Sequence, residues 1–189
     1  MKIYLLLGHT DTETLSGAFA NKYEQHAKAA GHTVRRQNIG DMRFDPVLHK
    51  GYKEIQELEP DLKTFCDDIH WADHIVIVHP TWWCSMPSLL KGLFDRAWLP
   101  HEAFLFEDHG LTWAKLLKGR TARIITSANM NPWIMRFMYG SPTMVLEMVI
   151  LRFAGIRARS TVFGPSERVS ARAKERWLRR VARLGANAR

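Results

Sequence analysis

Cysteine is scarce in this chain, which contains only Cys66 and Cys84 among its 189 residues. The two form no Cys-x-x-Cys pair and no metal-ligand spacing, which excludes disulfide-stapled domains and zinc ribbons. Nine histidines are present, but their spacing does not match a metal site either. We therefore predict no bound metal and a reducing, cytoplasmic setting.

Long apolar runs are also missing. The apolar residues after Met1 end at Leu7, which is too short for the core of a signal peptide, and no cleavage site follows. The most apolar-rich stretch, residues 133–154, carries Arg136, Glu147 and Arg152. Because charged side chains are costly inside a bilayer, this stretch is a poor candidate for a membrane span.

No segment is rich enough in Gly, Pro or Ser to form a linker between domains. The sequence also shows no internal repeat. The hydrophobic fraction of 46% and the charged fraction of 24% are ordinary for a globular protein. A length of 189 residues suits one domain that can bury a sizeable core. We predict a single domain over residues 1–189.

The net charge is +8, a strongly basic balance. Basic side chains are dense in residues 166–184, where apolar residues recur at spacings of three and four. This spacing predicts an amphipathic helix with a solvated basic face. Binding of an anionic cofactor or a lipid surface is a second interpretation of that face, and no nucleic-acid partner is predicted. The apolar stripe comprises Val169, Ala173, Trp177, Val181 and Leu184.

Strand patterns alternate with helical patterns along the chain, which indicates βαβ units and a parallel sheet. The predicted strands are residues 2–7, 32–39, 74–79, 121–126 and 158–163. We predict an α/β fold of the flavodoxin-like type, with five parallel strands in the order 2-1-3-4-5 and helices on both faces. The long segments between the later strands are interpreted as insertions.

Ligands bind beyond the carboxyl ends of the strands in such a sheet, near the change in strand order. Three segments are expected there: Gly8–Ser16, Pro80–Pro87 and Thr126–Asn131. The first leads into a helix N-terminus and is rich in hydroxyl side chains, which favours a phosphate group. Simple N-capping by one threonine is the alternative. The segment matches neither the G-x-G-x-x-G nor the Walker pattern, so those nucleotide sites are disfavoured.

The second segment places Trp82 and Trp83 between two prolines. Aromatic rings stack on flat ring systems and prolines stiffen the backbone, so this loop suits a flavin ring. Packing of the tryptophans in the core is the alternative. Cys84 has no partner base and is interpreted as a small loop residue. The third segment offers short polar side chains and by itself indicates only a turn.

Together these segments resemble the NAD(P)H quinone dehydrogenase family, the flavodoxin-like group related to DT-diaphorase. The resemblance spans roughly the whole chain. Its most specific part is residues 79–96, whose Pro…Trp…Pro…Leu-Lys-Gly…Asp-Arg skeleton is similar to the family's flavin-ring loop and following helix. Further matches are Gly8-His9-Thr10, Thr14-Leu15-Ser16, Phe44-Asp45-Pro46 and Ala103-Phe104.

The resemblance implies a flavin site built by all three segments. It assigns the phosphate end to His9, Thr14, Leu15 and Ser16. It assigns the flavin ring to Thr81, Trp82, Trp83 and Cys84, and the ring's polar edge to Thr126, Ser127, Ala128 and Asn129. It further implies FMN or FAD, with FMN favoured because no segment serves an adenosine, and NAD(P)H as co-substrate. A homodimer is implied too, with a Met-rich wall at residues 130–148.

The chain departs from the family in two places. The family usually has Thr-Thr-Gly-Gly after the fourth strand, where this chain has side chains at Ala128 and Asn129. The family's downstream tyrosine and histidine, which assist hydride transfer, have no clear match. Tyr139 is the only tyrosine after Tyr52, and no histidine follows His109. No catalytic residue is therefore assigned.

The expected activity is hydride transfer from NAD(P)H, through a flavin, to a quinone or a similar small acceptor. One alternative is a flavin-binding regulatory subunit of a membrane potassium-efflux system, because some family members resemble such subunits. The basic terminal helix suits that peripheral membrane partner. The other alternative is an electron carrier of the flavodoxin type. The positive net charge weighs against it, since such carriers are typically acidic.

Overall fold

A sheet of five parallel strands forms the centre of the computed structural model, which describes residues 1–107 and 112–188. The strands, in chain order, are β1 (Lys2–Leu7), β2 (Thr33–Asn38), β3 (His74–Pro80), β4 (Phe104–Phe106), β5 (Trp113–Lys115), β6 (Thr121–Ser127) and β7 (Arg157–Phe163). The central order is β2-β1-β3-β6-β7, with every neighbouring pair parallel. This confirms the predicted order and the predicted strands, whose bounds differ by at most one residue at each end.

Helices cover both faces of this sheet, as predicted. They are α1 (Leu15–Ala29), α2 (Pro60–Trp71), α3 (Ser88–Ala97), α4 (Pro132–Tyr139) and α5 (Ala171–Ala186), with a 3₁₀ turn at Gly51–Lys53 and a π-helix at Val145–Leu151. Helix α1 begins where the Thr14 hydroxyl oxygen accepts a hydrogen bond from the Gly17 N–H, so Thr14 is the N-cap. It is followed by Gly31, whose φ of 81° is accessible to glycine without strain.

The two faces of β1 divide the hydrophobic core. Leu5 and its neighbours at every second position pack with α1 and α5, whereas Tyr4 and Leu6 pack with α2, α3 and the π-helix. The rings of Tyr4 and Phe65 meet edge to face at 5.9 Å. A fully buried side chain of this kind contributes about 1.5–3 kcal/mol. Burial on both faces therefore fixes which side of each strand faces which helices.

The predicted basic helix is present as α5. Val181 is buried, and Trp177 and Leu184 pack partly against the core, which confirms the amphipathic pattern. The Ser170 hydroxyl accepts a hydrogen bond from the Ala173 N–H and begins the helix, so Val169 lies before it. No helix in the described ranges is long and apolar enough to cross a membrane.

Both insertions contain structure that the sequence pattern does not predict. Strands β4 and β5 form an antiparallel hairpin, and each has three residues, too few to show a periodicity. The hairpin is held by Trp113, whose ring stacks on Phe153 at 4.4 Å and whose indole N–H donates to the Phe153 carbonyl. The second insertion supplies α4 and the π-helix.

A buried arginine fastens the segment that follows β2. The Arg96 side chain is fully buried on α3, where its guanidinium donates to the carbonyl oxygens of Asp45 and Glu57 and pairs with Glu59 at 2.9 Å. One turn earlier, a Cβ at Gly92 would lie 2.5 Å from the Pro46 Cβ. The Gly and Arg of the Leu-Lys-Gly…Asp-Arg skeleton thus hold this segment in place.

Candidate functional site

Three loops meet at the carboxyl edge of the sheet, after β1, β3 and β6. The rings of His9 and Trp82 are 5.6 Å apart and nearly perpendicular, which joins the first loop to the second. The Thr81 N–H donates to the Ser127 carbonyl at 2.7 Å, and the Thr81 and Thr126 hydroxyls are 2.8 Å apart. The structure therefore brings residues from all three predicted segments together.

The first loop presents unused backbone donors. Thr14 caps the Gly17 N–H, and the Asp11 carboxylate accepts a hydrogen bond from the Glu13 N–H at 2.7 Å. Among the described residues, neither the Leu15 N–H nor the Ser16 N–H donates a hydrogen bond. These groups lie in the first turn of α1, where the helix dipole favours an anion. N-capping and anion binding are compatible here, because they use different donors.

Two glycines that sequence reasoning missed shape this loop. A Cβ at Gly17 would lie 1.8 Å from the Thr12 carbonyl oxygen, and a Cβ at Gly40 would lie 2.2 Å from that of Thr10. Any side chain at either position would displace the loop backbone. The signal in the sequence is only two isolated glycines, and nothing there shows which backbone lies against them.

His9 has one ring nitrogen available to a ligand. Its Nδ1 accepts a hydrogen bond from the Asp11 N–H at 2.9 Å, which leaves Nε2 to carry the ring proton. The side chain is partly exposed beside Trp82. His9 can therefore act as a directed N–H donor at the junction of the first and second loops.

The second loop ends in a tight turn made by unusual residues. Trp82 and Ser85 exchange two backbone hydrogen bonds of 3.0 Å, and between them Trp83 and Cys84 have φ values of 50° and 57°. Positive φ at both central positions is the signature of a type I′ turn, which normally selects Asn or Gly. Each residue held there costs about 1–3 kcal/mol. The turn leaves Trp83 fully exposed and Trp82 45% exposed, so Trp83 does not fill the core.

The third loop is pinned by β7 and by the chain that follows it. The Ala128 N–H donates to the Phe163 carbonyl at 2.8 Å, and the Ala128 carbonyl accepts from the Ser166 N–H. A Cβ at Gly164 would lie 2.5 Å from the Met130 carbonyl oxygen, so this glycine allows the close approach. Neither Ala128 nor Asn129 has a positive φ, which explains how residues other than glycine occupy this loop.

Polar side chains of this third loop differ in their exposure and in the hydrogen-bond donors that they leave free for a ligand. Thr126 and Ser127 are buried, whereas Asn129 is exposed. The Asn129 side-chain oxygen accepts from the Glu167 N–H at 3.4 Å, which directs the amide nitrogen elsewhere. The Ala128 N–H is already engaged, so the donors that remain at this edge include the side chains of Ser127 and Asn129 and the Asn129 N–H, which has no acceptor among the described residues.

A buried histidine lies beneath the second loop. His79 is fully buried at the end of β3, with Nδ1 2.8 Å from the Pro80 carbonyl oxygen and no partner for Nε2 in the described residues. Burial lowers the pKa of His79 to about 4. The ring is therefore neutral near pH 7 and cannot serve as a proton donor of the imidazolium type. Within residues 1–107 and 112–188, no three His, Cys, Asp or Glu side chains are grouped to hold a metal ion.

The family is decided by a match that covers nearly all of the chain. A family model described as flavodoxin-like fold matches residues 1–183. The chain belongs to the flavodoxin-like fold family. Its three candidate loops are thus those of a flavodoxin-like sheet, in the position where that architecture binds ligands.

Curated relatives of this flavodoxin-like chain are named as oxidoreductases. An uncharacterized NAD(P)H oxidoreductase of Haemophilus influenzae is 31% identical over 64% of this chain and 60% of its own length. A ribosyldihydronicotinamide dehydrogenase [quinone] of Pongo abelii is 28% identical over 77% of this chain and 64% of its own length. The chain thus spans less than two thirds of these relatives, and neither name refers to potassium efflux.

Solved structures share the whole flavodoxin-like fold. Smu.1420 from Streptococcus mutans matches with a TM-score of 0.85 and 25% identity, over 99% of this chain and 100% of its own. An NAD(P)H:quinone oxidoreductase from Methanothermobacter marburgensis matches with 0.83 and 22%, over 100% and 99%. An FMN-dependent NADH-azoreductase from Bacillus anthracis, solved with FMN, matches with 0.74 and 20%, over 99% and 98%. Likenesses of 22% and 20% identity show the fold alone.

Proposed function

We propose that this protein is an FMN-dependent oxidoreductase that transfers hydride from NAD(P)H to a quinone or a similar small acceptor. The observation that carries the proposal is the set of unused N–H donors at the start of α1, beside Trp82 and at the carboxyl edge of the sheet. The names of the NAD(P)H oxidoreductase, quinone oxidoreductase and FMN-dependent relatives support it.

The phosphate end of the cofactor would lie at the first loop. The Leu15 and Ser16 N–H groups would donate to phosphate oxygens, with the Ser16 hydroxyl and His9 Nε2 as side-chain donors. Thr14 would act indirectly, because its hydroxyl oxygen already caps α1. A terminal phosphate is the group this arrangement suits, so FMN is proposed rather than FAD.

The ring would lie along the second and third loops. Trp82 would flank it, Trp83 would close over it from the strained turn, and Thr81 and Cys84 would contribute backbone and small side chains. When bound, flavin supplies the hydride-accepting chemistry, while the protein supplies binding and orientation. Ser127 and Asn129 would hold the charge that develops on the polar edge, with Thr126 supporting Thr81.

Flavin binding tests the proposal directly. The purified chain should show a flavin absorption spectrum, or bind added FMN with saturable fluorescence quenching at micromolar concentrations. Ser16→Glu should weaken FMN binding strongly through charge repulsion, whereas Ser170→Glu, at the N-cap of α5 outside the three loops, should leave it unchanged. Absence of binding by both FMN and FAD would overturn the proposal.

We also propose that the protein is a homodimer that uses the apolar surface following the third loop. This α4–π surface is exposed to an unusual extent, with Trp133 81% and Phe137 93% exposed. Clusters of large exposed apolar side chains mark interaction sites. The surface also includes Ile134, Met138, Tyr139, Met144, Met148 and Val149.

Sedimentation analysis of two variants tests whether this surface, rather than exposed apolar residues in general, forms the dimer. Phe137→Glu should shift the chain from dimer to monomer. Ile55→Glu is a matched control, because Ile55 is also 93% exposed but lies in the segment before α2. A monomeric wild-type chain at micromolar concentration would contradict the proposal.

A further inference from the structure

A large cleft lies at the opposite edge of the sheet from the three loops. It has a volume of about 990 Å³ and is lined by residues at the starts of β3, β6 and β7, among them His74, Thr121 and Arg157. The first residues of parallel strands lie at the amino edge of the sheet, whereas the candidate flavin loops follow their last residues. The cleft is therefore separate from the site proposed for flavin and NAD(P)H.

The lining of this cleft is strongly basic. Among the described residues that line it, Glu147 has the only carboxylate. The basic members are Lys115, Lys118, Arg123, Arg152, Arg157 and Arg159. In the described part of the chain, no carboxylate lies within 4.0 Å of any of these six charges, although eight ion pairs occur elsewhere.

Like charges are packed together on the edge of the sheet. Arg123 and Arg159 are register partners on adjacent strands. Burial and the charges of Arg159 and Arg180 lower the pKa of Arg123, although Tyr23 and Glu147 act in the opposite direction. Side chains that repel each other across a sheet destabilise it, so this arrangement is costly without an anion.

Hydrogen-bonding capacity is also unused at this cleft. His74 is 98% buried, and its Nδ1 is 2.7 Å from the Thr121 hydroxyl, but its Nε2 has no partner in the described residues. The Arg123 Nε is buried without a partner as well. Buried polar groups are normally satisfied, and unsatisfied ones in a cleft indicate a missing water or ligand.

We propose that this amino-edge cleft binds a small soluble molecule that carries several phosphate charges. The described lining places six cations against one carboxylate, which selects a multiply charged anion. Arginine binds phosphate oxygens with paired N–H donors. The concave shape favours a soluble molecule over a membrane, because a flat lipid surface would not reach the buried residues of the lining, His74 and Ala158.

Calorimetric titration with sodium tripolyphosphate tests the site on the full chain in the presence of saturating FMN, so that the α1 N-terminus is occupied. Wild-type protein should bind one equivalent. Arg157→Glu with Arg159→Glu should weaken binding at least tenfold. Arg172→Glu with Arg176→Glu on the exposed face of α5 changes the net charge equally and should weaken binding less than twofold.

Three outcomes would overturn the proposal. They are no saturable binding by the wild type, equal weakening by both pairs of substitutions, and binding only to phosphatidylserine vesicles. Equal weakening would show a general charge effect, and vesicle binding would assign the cleft to lipid headgroups. Circular dichroism of both double variants confirms that each is folded. The wild-type titration is then repeated without FMN. The proposed cleft should still bind one equivalent of tripolyphosphate, whether or not the flavin proposal holds, so the two proposals can fail independently.

Discussion

Gly17→Ala is expected to damage the phosphate loop without unfolding the protein. In an ordinary helix, alanine in place of glycine is favourable by about 0.5–1 kcal/mol. Here the new Cβ would lie 1.8 Å from the Thr12 carbonyl oxygen, which must move about 1.6 Å to reach the 3.4 Å of an ordinary contact. A displacement of that size exceeds the roughly 0.5 Å within which a binding group must be held.

The expected loss of FMN affinity follows from the N–H donors of the loop, which this displacement moves away from the phosphate. A hydrogen bond to a charged group is worth about 1.5–3 kcal/mol, and each 1.4 kcal/mol corresponds to about tenfold in affinity. Loss of one such bond therefore predicts a roughly 10–100-fold rise in the Kd for FMN. Riboflavin lacks the phosphate, so its Kd should rise less than about threefold under the same argument.

Fluorescence titration with FMN and riboflavin in parallel measures both values. Gly31→Ala is the control for general destabilisation, because its φ of 81° strains alanine while no atom of the described residues lies within 4 Å of the new Cβ. That variant should lose stability but keep the ratio of FMN to riboflavin affinity. An unchanged FMN affinity in Gly17→Ala would refute the argument, as would an equal loss for riboflavin.

Three further predictions concern stability, pH and turnover. Arg96→Leu should lower the free energy of unfolding, measured by urea denaturation, by about 3–5 kcal/mol, because it leaves buried acceptors unpaired. Lys91→Leu is the control, since it breaks the exposed Lys91–Asp95 pair and should change that free energy by less than about 1 kcal/mol. His74 and His79 have pKa values of about 4, below the ordinary 6.5, so folding keeps both rings neutral. Their contribution to the free energy of unfolding is therefore full above pH 6.5 and is lost as the pH falls toward 4, and at pH 5 each histidine should lower that free energy by about 2 kcal/mol. A urea midpoint that stays constant between pH 7 and 5 would contradict this. In stopped-flow experiments with NADPH, Asn129→Ala should slow reduction of the bound flavin while Tyr139→Phe should not; a hundredfold loss for Tyr139→Phe alone would assign the role to that tyrosine.

Strands β1 and β3 of the central sheet could be predicted because they are short apolar runs whose burial depends on local pattern. His74–Pro80 and Lys2–Leu7 are buried almost throughout, so their residue types alone identify them. The β4–β5 hairpin was not predictable in this way. Its stability depends on Trp113 stacking on Phe153, 40 positions later in the chain.

The candidate site was predictable in its location more than in its chemistry. The carboxyl edge follows from strand order, but the engagement of the Ala128 N–H depends on where β7 ends. The backbone that approaches Gly17 is likewise visible only in three dimensions. The amino-edge cleft was missed because its charges come from distant positions, such as Lys115, Arg123 and Arg157, and no local motif joins them.

The type I′ turn at Trp83 and Cys84 has a consequence for where the molecule opens. Two residues in the left-handed region store energy in a loop whose turn is closed by only two backbone hydrogen bonds, while the adjoining strand is buried. Local opening should therefore start at this turn and leave the sheet intact. In hydrogen exchange, the amides of Trp82 and Ser85 should exchange fastest among the bonded amides of the three loops and slow when the site is filled. Trp83, which we propose closes over the flavin, would then move away from the site without unfolding of the core.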